Sequence, residues 1–485
     1  MPLLIVLVIA FILRIISLNQ SFWLDEAIGL LVAKNQSFFQ ILTQFPKADN
    51  HPPIYYLTLK AWTDTFGYSE IAVRMLSIIA GTLTVFFVYK ICELYTAKKE
   101  NKNLLSFPFI ASLLIAFSPL HIYYSQEARM YIFTGLFSSM SIYFFLKILK
   151  RNALFINWLL YSLSIVLLVF TDYLPVFIFP VFLIYAIYSK KDKSWWIKFI
   201  LSHIPLGILG LFWLPTFLFQ SNAGKLLLQA LPKWKDVAGG ATLKQLSLVW
   251  VKFILGRISF DNFYLYAFLV AVFSIPFLVS LINSLKGLKE ILLNFLWLLV
   301  PLTLVFLASF FFPAFIYFRF IFILPAFYIL IAYGISLFKD NKIKIILTSS
   351  ILTISLFSIS LYYFNQRFQR ENWKGAVSFI ESIVEGNELI VFANPEPFAP
   401  YQWYAKDLSS AIGGTNNIAA NYDKSYRNLE PYLRNKKGIY YFKYLEEIMD
   451  PNSIVYNIIL SEGFKEKENY PSFIGVGNII YLSRQ

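Results

Sequence analysis

Long apolar runs separated by short charged loops fill the first three quarters of the chain. They lie near 2–18, 70–94, 104–120, 130–149, 155–171, 173–188, 197–219, 262–284, 291–311, 316–338 and 345–364. A helix needs ~20 apolar residues to cross ~30 Å of hydrocarbon, so the pattern predicts about eleven spans. The fifth and sixth are divided only by Thr171-Asp172, which also reads as the bend of a broken hairpin. Past residue 364 the pattern changes. Residues 365–485 are polar and charged, with a helix expected over Trp373 to Val384 and another over Asn452 to Leu460. Compact β-rich runs at 388–393, 438–443 and 477–482 predict strands.

Charge orients these elements. Lys98, Lys99 and Lys102 share one loop phase with Lys147, Lys150 and Arg151, with Lys190, Lys191, Lys193 and Lys198, with Lys286 and Lys289, and with Lys339, Lys342 and Lys344. Basic residues in short loops mark the cytoplasmic side. The N-terminus is then expected inside, and the stretches 19–69, 119–129 and 220–261 outside together with 365–485. The expected organisation is an α-helical polytopic protein of the inner (plasma) membrane. It has a transmembrane domain over 1–364 and a small extracytoplasmic α/β domain over 365–485. The outer stretch 220–261 also carries Lys225, Lys233, Lys235, Lys244, Lys252 and Arg257. Long loops translocate regardless of charge, so the topology stands. Met1 to Leu18 lacks a basic leader and a small-residue cleavage site, which predicts a retained first span.

Composition narrows the chemistry. Hydrophobic residues make up 58% of the 485 and charged ones 14%, too few for a soluble surface. The single cysteine, Cys92, excludes an intramolecular disulfide framework and a cysteine-based metal site. With only His51, His121 and His203, any metal would need a carboxylate-rich site, and no full ligand set is visible. The net charge of +14 follows from loop topology rather than from nucleic-acid binding, which is not expected.

Candidate chemistry gathers at the outer face. Phe22-Trp-Leu-Asp-Glu-Ala27 opens the first outer stretch with two adjacent carboxylates, Asp25 and Glu26. Such a pair is costly at a membrane surface unless solvated or liganded. Alternatively it complements the dipole at a helix N-terminus. In Asp49-Asn-His-Pro-Pro-Ile-Tyr-Tyr56 the double proline makes a rigid turn that carries Asp49 and His51, followed by Tyr55. Glu70 and Arg74, four apart on one helix face, read as an internal ion pair or a snorkelling arginine. Glu127, Arg129 and Tyr131 crowd Ser118-Pro-Leu-His-Ile-Tyr-Tyr-Ser-Gln-Glu-Ala-Arg-Met-Tyr131, a segment too short to fold alone. Arg319 enters the tenth run a few residues from its outer end, where it either snorkels or holds an anion such as phosphate.

The motif order Trp23-Leu-Asp-Glu26, His51-Pro-Pro53, Gly67-Tyr-Ser-Glu70 with Arg74, and Tyr124-Ser-Gln-Glu-Ala-Arg-Met-Tyr131 resembles one family in particular. These are the GT-C membrane glycosyltransferases of the dolichyl-phosphate-mannose protein mannosyltransferase type, with the bacterial relatives that add sugars to lipid A. The resemblance covers roughly 1–335. Glu371-Asn-Trp-Lys374 is similar to the acidic-Trp-basic junction that opens the outer domain in many bacterial members. It has Asn and Lys where Asp and Arg are usual, and no catalytic role is assigned to it.

The resemblance implies a GT-C fold and a polyprenyl-phosphate sugar donor. It also implies a catalytic aspartate in the first outer loop, which by motif match is Asp25, with Glu127 the second acidic candidate. Glu26, His51, Tyr55, Arg129, Tyr131 and Arg319 are then expected to bind substrate. The acceptor is a lipid, glycan or protein hydroxyl. No organic cofactor is expected, and a divalent metal stays open. A carboxylate suits general-base work on that hydroxyl, while the phosphate leaving group needs cations rather than an acid. Inversion follows, since no covalent nucleophile is implied. The main alternatives are a lipid-linked glycan flippase or a glycan polymerase. Transporters place their ionisable groups near the midplane, whereas here the acidic residues gather at one face.

Overall fold

The computed structural model describes residues 2–96, 104–150 and 153–484, so Lys98, Lys99, Lys102 and Arg151 lie outside the described residues. The chain divides into two compact units. One comprises 1–18, 38–220 and 238–368, and the other comprises 19–37, 221–237 and 369–485.

The first unit is helical. Glu70–Glu93, Tyr131–Ile148, Lys193–Ala230, Phe263–Gly287, Tyr317–Ser336 and Asn341–Phe364 are long and apolar enough to cross a membrane. Phe107–Ala116 and Pro119–Ser125 meet at 59° and make a seventh candidate if taken as one broken span. Pro2–Ile15, Phe155–Val169, Leu174–Tyr188 and Leu292–Ala308 are shorter apolar helices. Each of the eleven expected runs is therefore helical, though four fall short of full length. The Thr171-Asp172 break is real: Asp172 Oδ1 accepts the Leu174 N–H at 2.9 Å, and a 3₁₀ turn over Leu174–Ile178 restarts the chain. The stretch 220–261, expected as a loop, contains helices Trp234–Ala238 and Leu243–Leu255.

A buried polar knot lies between the helices of this unit. Arg14 is 0% exposed, and a charge there is tolerated only with full hydrogen bonding. Its guanidinium donates to the Ala10 carbonyl at 2.8 Å, the Ala116 carbonyl at 3.1 Å, Ser125 Oγ at 3.1 Å and His121 Nδ1 at 2.7 Å. Gly81 makes the room. A Cβ there would stand 2.2 Å from Ser125 Oγ and 3.2 Å from Arg14 Nε. Arg74, also buried, donates to the Leu18 carbonyl at 2.7 Å.

The second unit holds a five-stranded sheet. Its strands are β1 (Glu388–Phe392), β2 (Ala411–Gly413), β3 (Gly438–Phe442), β4 (Lys465–Phe473) and β5 (Gly477–Ser483), in the order β2-β1-β3-β5-β4. β1 pairs in parallel with β2 and β3, while β5 runs antiparallel to β3 and β4. β1 and β3 are buried along their whole length, as central parallel strands should be. One face packs Trp373, Val377, Ile380, Phe398 and Tyr401, and the other packs Leu429, Leu433, Val455, Ile458 and Ile459. Three strands and both expected helices match the reading from sequence. β2 is too short to show a period, and β4 reads as polar.

Helix Leu24–Asn35 belongs to this unit. It packs near helix Ala399–Tyr404: Phe22 meets Trp403 edge-on at 5.8 Å and stacks on Tyr404 at 6.3 Å. The Phe22 N–H donates to the Tyr404 hydroxyl at 2.8 Å.

Candidate functional site

In the first unit, two segments bring ionisable groups together. Pro52 and Pro53 end the turn that starts helix Ile54–Phe66, and this places His51 Nδ1 3.0 Å from Asp49 Oδ1. Gln220 Nε2 fixes the same turn by donating to the Asp49 and His51 carbonyls at 2.8 and 3.2 Å. Gln220 is itself held by the Tyr173 hydroxyl, which receives the Trp213 indole N–H at 2.7 Å. Burial works against charge on Asp49. His51, Arg129 and the Tyr56 hydroxyl outweigh it and bring the carboxyl down to about 2.

The second segment is 118–131, every residue of which is buried. Expected as a loop, it begins as helix Pro119–Ser125, started by Ser118 Oγ accepting the His121 N–H. Gln126 Nε2 pins its far end, donating to the Arg14 and Ile16 carbonyls at 2.9 and 2.7 Å. So held, the chain presents Glu127, 1% exposed, and Arg129, 4% exposed. Arg129 donates to the Tyr56 hydroxyl at 3.1 Å and lies 5.9 Å over the Tyr131 ring. Tyr131 packs on Tyr124 and Phe318. Tyr55 is buried against Tyr56 and Phe133.

Arg319 follows Phe318 in a 3₁₀ turn over Tyr317–Ile323. It is half-buried, and among the described residues its guanidinium has no hydrogen-bond or ion-pair partner. Arg257 is a cation that motif reading left inside a basic stretch. It donates to the Tyr123 hydroxyl at 2.6 Å, lies over that ring at 4.8 Å, and couples by charge to Tyr317, Tyr124 and Glu127. Asp49, Tyr56 and Arg257 thus join the expected Glu127, Arg129, His51 and Tyr131. For the first, His51 two positions on was the available signal. Nothing local marked Arg257, whose tyrosine partner is 134 positions away.

In the second unit Asp25 is half-buried in the first turn of helix Leu24–Asn35, and Glu26 beside it is fully buried. The acidic pair does sit at a helix N-terminus, where the dipole favours negative charge. Glu26 reaches back to its own helix start, Oε2 accepting the Trp23 N–H at 3.4 Å. Among the described residues no group of three or more His, Cys, Asp or Glu side chains could hold a metal ion.

Comparison with known proteins bears on the fold. The family model described as dolichyl-phosphate-mannose-protein mannosyltransferase matches residues 50–219. ArnT from Cupriavidus metallidurans is similar in structure, with a TM-score of 0.55 at 10% identity over 99% of this chain and 97% of that one. The same protein bound to undecaprenyl phosphate gives 0.54 at 10% identity, with the same coverage. The oligosaccharyltransferase AglB from Archaeoglobus fulgidus, in complex with an inhibitory peptide and a dolichol-phosphate, gives 0.52 at 13% identity over 100% of this chain and 74% of that one. No curated protein sequence matches the chain. Over its whole length the protein shares the GT-C fold of these structures, and its residues 50–219 are similar to the mannosyltransferase model.

Proposed function

We propose that the chain is an inverting glycosyltransferase of the inner membrane. It moves a sugar from a polyprenyl-phosphate carrier to an acceptor hydroxyl on the extracytoplasmic side. The observation that carries this reading is the cluster in which Asp49 pairs with His51 and feels the charge of Arg129, itself on Tyr56 and Tyr131, within or next to the stretch 50–219 that the mannosyltransferase family model matches. The undecaprenyl phosphate in ArnT and the dolichol-phosphate in AglB support a lipid-phosphate donor.

In this reading Asp25 is the general base. It takes the acceptor proton as that oxygen bonds to the anomeric carbon. The anomeric C–O bond to the phosphate breaks on the opposite side, which inverts the centre, and polyprenyl phosphate departs with the electron pair. Its charge is held by Arg319 and Arg129, whose planar forks suit phosphate. Glu127 is the second acidic group, beside Arg257. His51, Tyr55 and Tyr131 line the sugar and phosphate path, and Glu26 contributes by fixing the start of the Asp25 helix. A divalent ion remains compatible with this scheme but has no assigned ligands.

The test is a donor panel on purified protein. Polyprenyl-phosphate monosaccharides are set against a lipid-linked oligosaccharide, each with and without chelator. Transfer from a monosaccharide donor, lost in Asp25→Asn with folding intact, supports the reading. Wild-type turnover in that variant removes Asp25 from the base role. Transfer from the oligosaccharide alone replaces the donor assignment.

A further inference from the structure

Glu371 is the acidic member of the junction motif and has no part in the scheme above. Its surroundings in the second unit are specific. Its carboxylate accepts the Trp373 indole N–H at 2.8 Å and the Tyr444 hydroxyl at 3.0 and 3.1 Å to its two oxygens. The backbone N–H of Leu24, the first residue of the Asp25 helix, also favours its charged form. That amide is one of the donors a helix start leaves without an intrahelical partner. Ser21 Oγ donates to the Glu371 carbonyl at 2.5 Å, and the Arg370 N–H donates to Gln20 Oε1 at 2.9 Å. Segments 20–24 and 370–373 are thus laced together across some 350 positions of sequence.

Backing the junction is Gly475, at φ +72°. A Cβ there would lie 2.5 Å from Glu371 Cγ and 3.0 Å from its Cα, and the Asn372 N–H donates to the Ile474 carbonyl at 2.7 Å. Leu24 packs into the core cluster that contains Trp373 and Tyr444.

We infer that Glu371 is a positioning residue for Asp25, fixing the start of its helix and sharing charge with it. This rests on Asp25 being the base. The groups facing the Glu371 carboxyl are Asp25, Tyr444, Trp373 and the Leu24 amide, with Arg370 and Lys374 flanking it in sequence. Burial is the largest influence on it. Three donors oppose burial and the Asp25 charge adds to it, so the carboxyl is pushed up to about 7. Below that pH Glu371 is neutral, and above it a second negative charge stands near Asp25.

One measurement is independent of turnover. Protein carrying 5-fluorotryptophan is titrated by fluorine NMR, with the Trp373 resonance assigned through Trp373→Phe. The expected result is a titration near pH 7 that is absent in Glu371→Gln and moved to lower pH in Asp25→Asn. A Trp373 signal that does not titrate, or that titrates identically in Asp25→Asn, overturns the inference.

A second measurement uses transfer. Glu371→Ala is expected to lower kcat on the order of 100-fold with donor KM unchanged, the scale of a small misplacement of a reacting group. Glu371→Gln should restore most of that rate at low pH and lose the inflection near neutrality. An unaltered kcat and pH profile in both variants overturns it. If the fluorine coupling holds while wild-type protein transfers no sugar from any polyprenyl phosphate, the proposed activity fails and the Asp25–Glu371 pairing survives.

Discussion

Asp49 and Glu371 are carboxyl groups shifted in opposite directions, and each shift has a sign in pH. Asp49 is depressed to about 2 by its partners. Its contribution is full above the ordinary Asp range near 3.8 and is lost as pH falls from there towards 2. The window corresponds to at most about 2 kcal/mol. Acid titration of thermal stability in detergent should show wild type losing ground over that window relative to Asp49→Asn. An unchanged difference between the two removes the pairing. Glu371 is raised from 4.5 to about 7, so its contribution is present below 4.5 and lost as pH climbs towards 7. Glu371→Gln should therefore melt higher than wild type at pH 8, with the gap closing by pH 5. Asp25 and His51 stand out as candidates because their neighbours in sequence are distinctive. Their partners do not, because hydrogen bonds from Arg129 to Tyr56 or from Gln220 to the His51 turn span 73 and about 170 positions.

Among the elements, the segment 118–131 shows how burial supplies what local sequence lacks. Seven residues of helix followed by a turn would not persist alone. Gln126 and the Arg14 knot hold it at both ends of the broken span. Gly81→Ala puts a methyl against Ser125 Oγ, two positions before Glu127, and forces the knot apart. We expect a loss of roughly 1–3 kcal/mol, the usual cost of overpacking, read as a lower melting temperature with reduced transfer. A variant with native melting would show that the helices accommodate the methyl by shifting. Arg319→Ala, in the 3₁₀ turn, should weaken donor binding by several-fold and leave acceptor KM alone; equal donor affinity would discard the phosphate clamp. Period and length made the apolar helices readable. The knot was unreadable, since Arg14 looks like one misplaced charge at the end of a hydrophobic run.

For the whole molecule, alternating loop charge predicts which ends of the helices face the cytoplasm, and the lone cysteine makes that measurable. In a Cys92→Ser background, Asp407→Cys should react with a membrane-impermeant maleimide applied from outside, and Lys339→Cys only after the membrane is opened. The reverse result inverts the proposed orientation. The α/β domain was legible as a composition change after 364. Its membership was not, because 19–37 and 221–237 join it only through tertiary contacts.

That membership has a consequence for biosynthesis. Helix Leu24–Asn35 is translated long before the tyrosines, tryptophans and glutamate that seat it, which lie beyond residue 370. A nascent chain inserts every apolar helix of the first unit while Asp25 still lacks its cradle. Competence would then arrive late and in one step, when the residues beyond 370 emerge and fold back onto a segment translated 350 positions before them. Stop codons placed between Glu371 and Trp403 should thus yield well-inserted but inert protein.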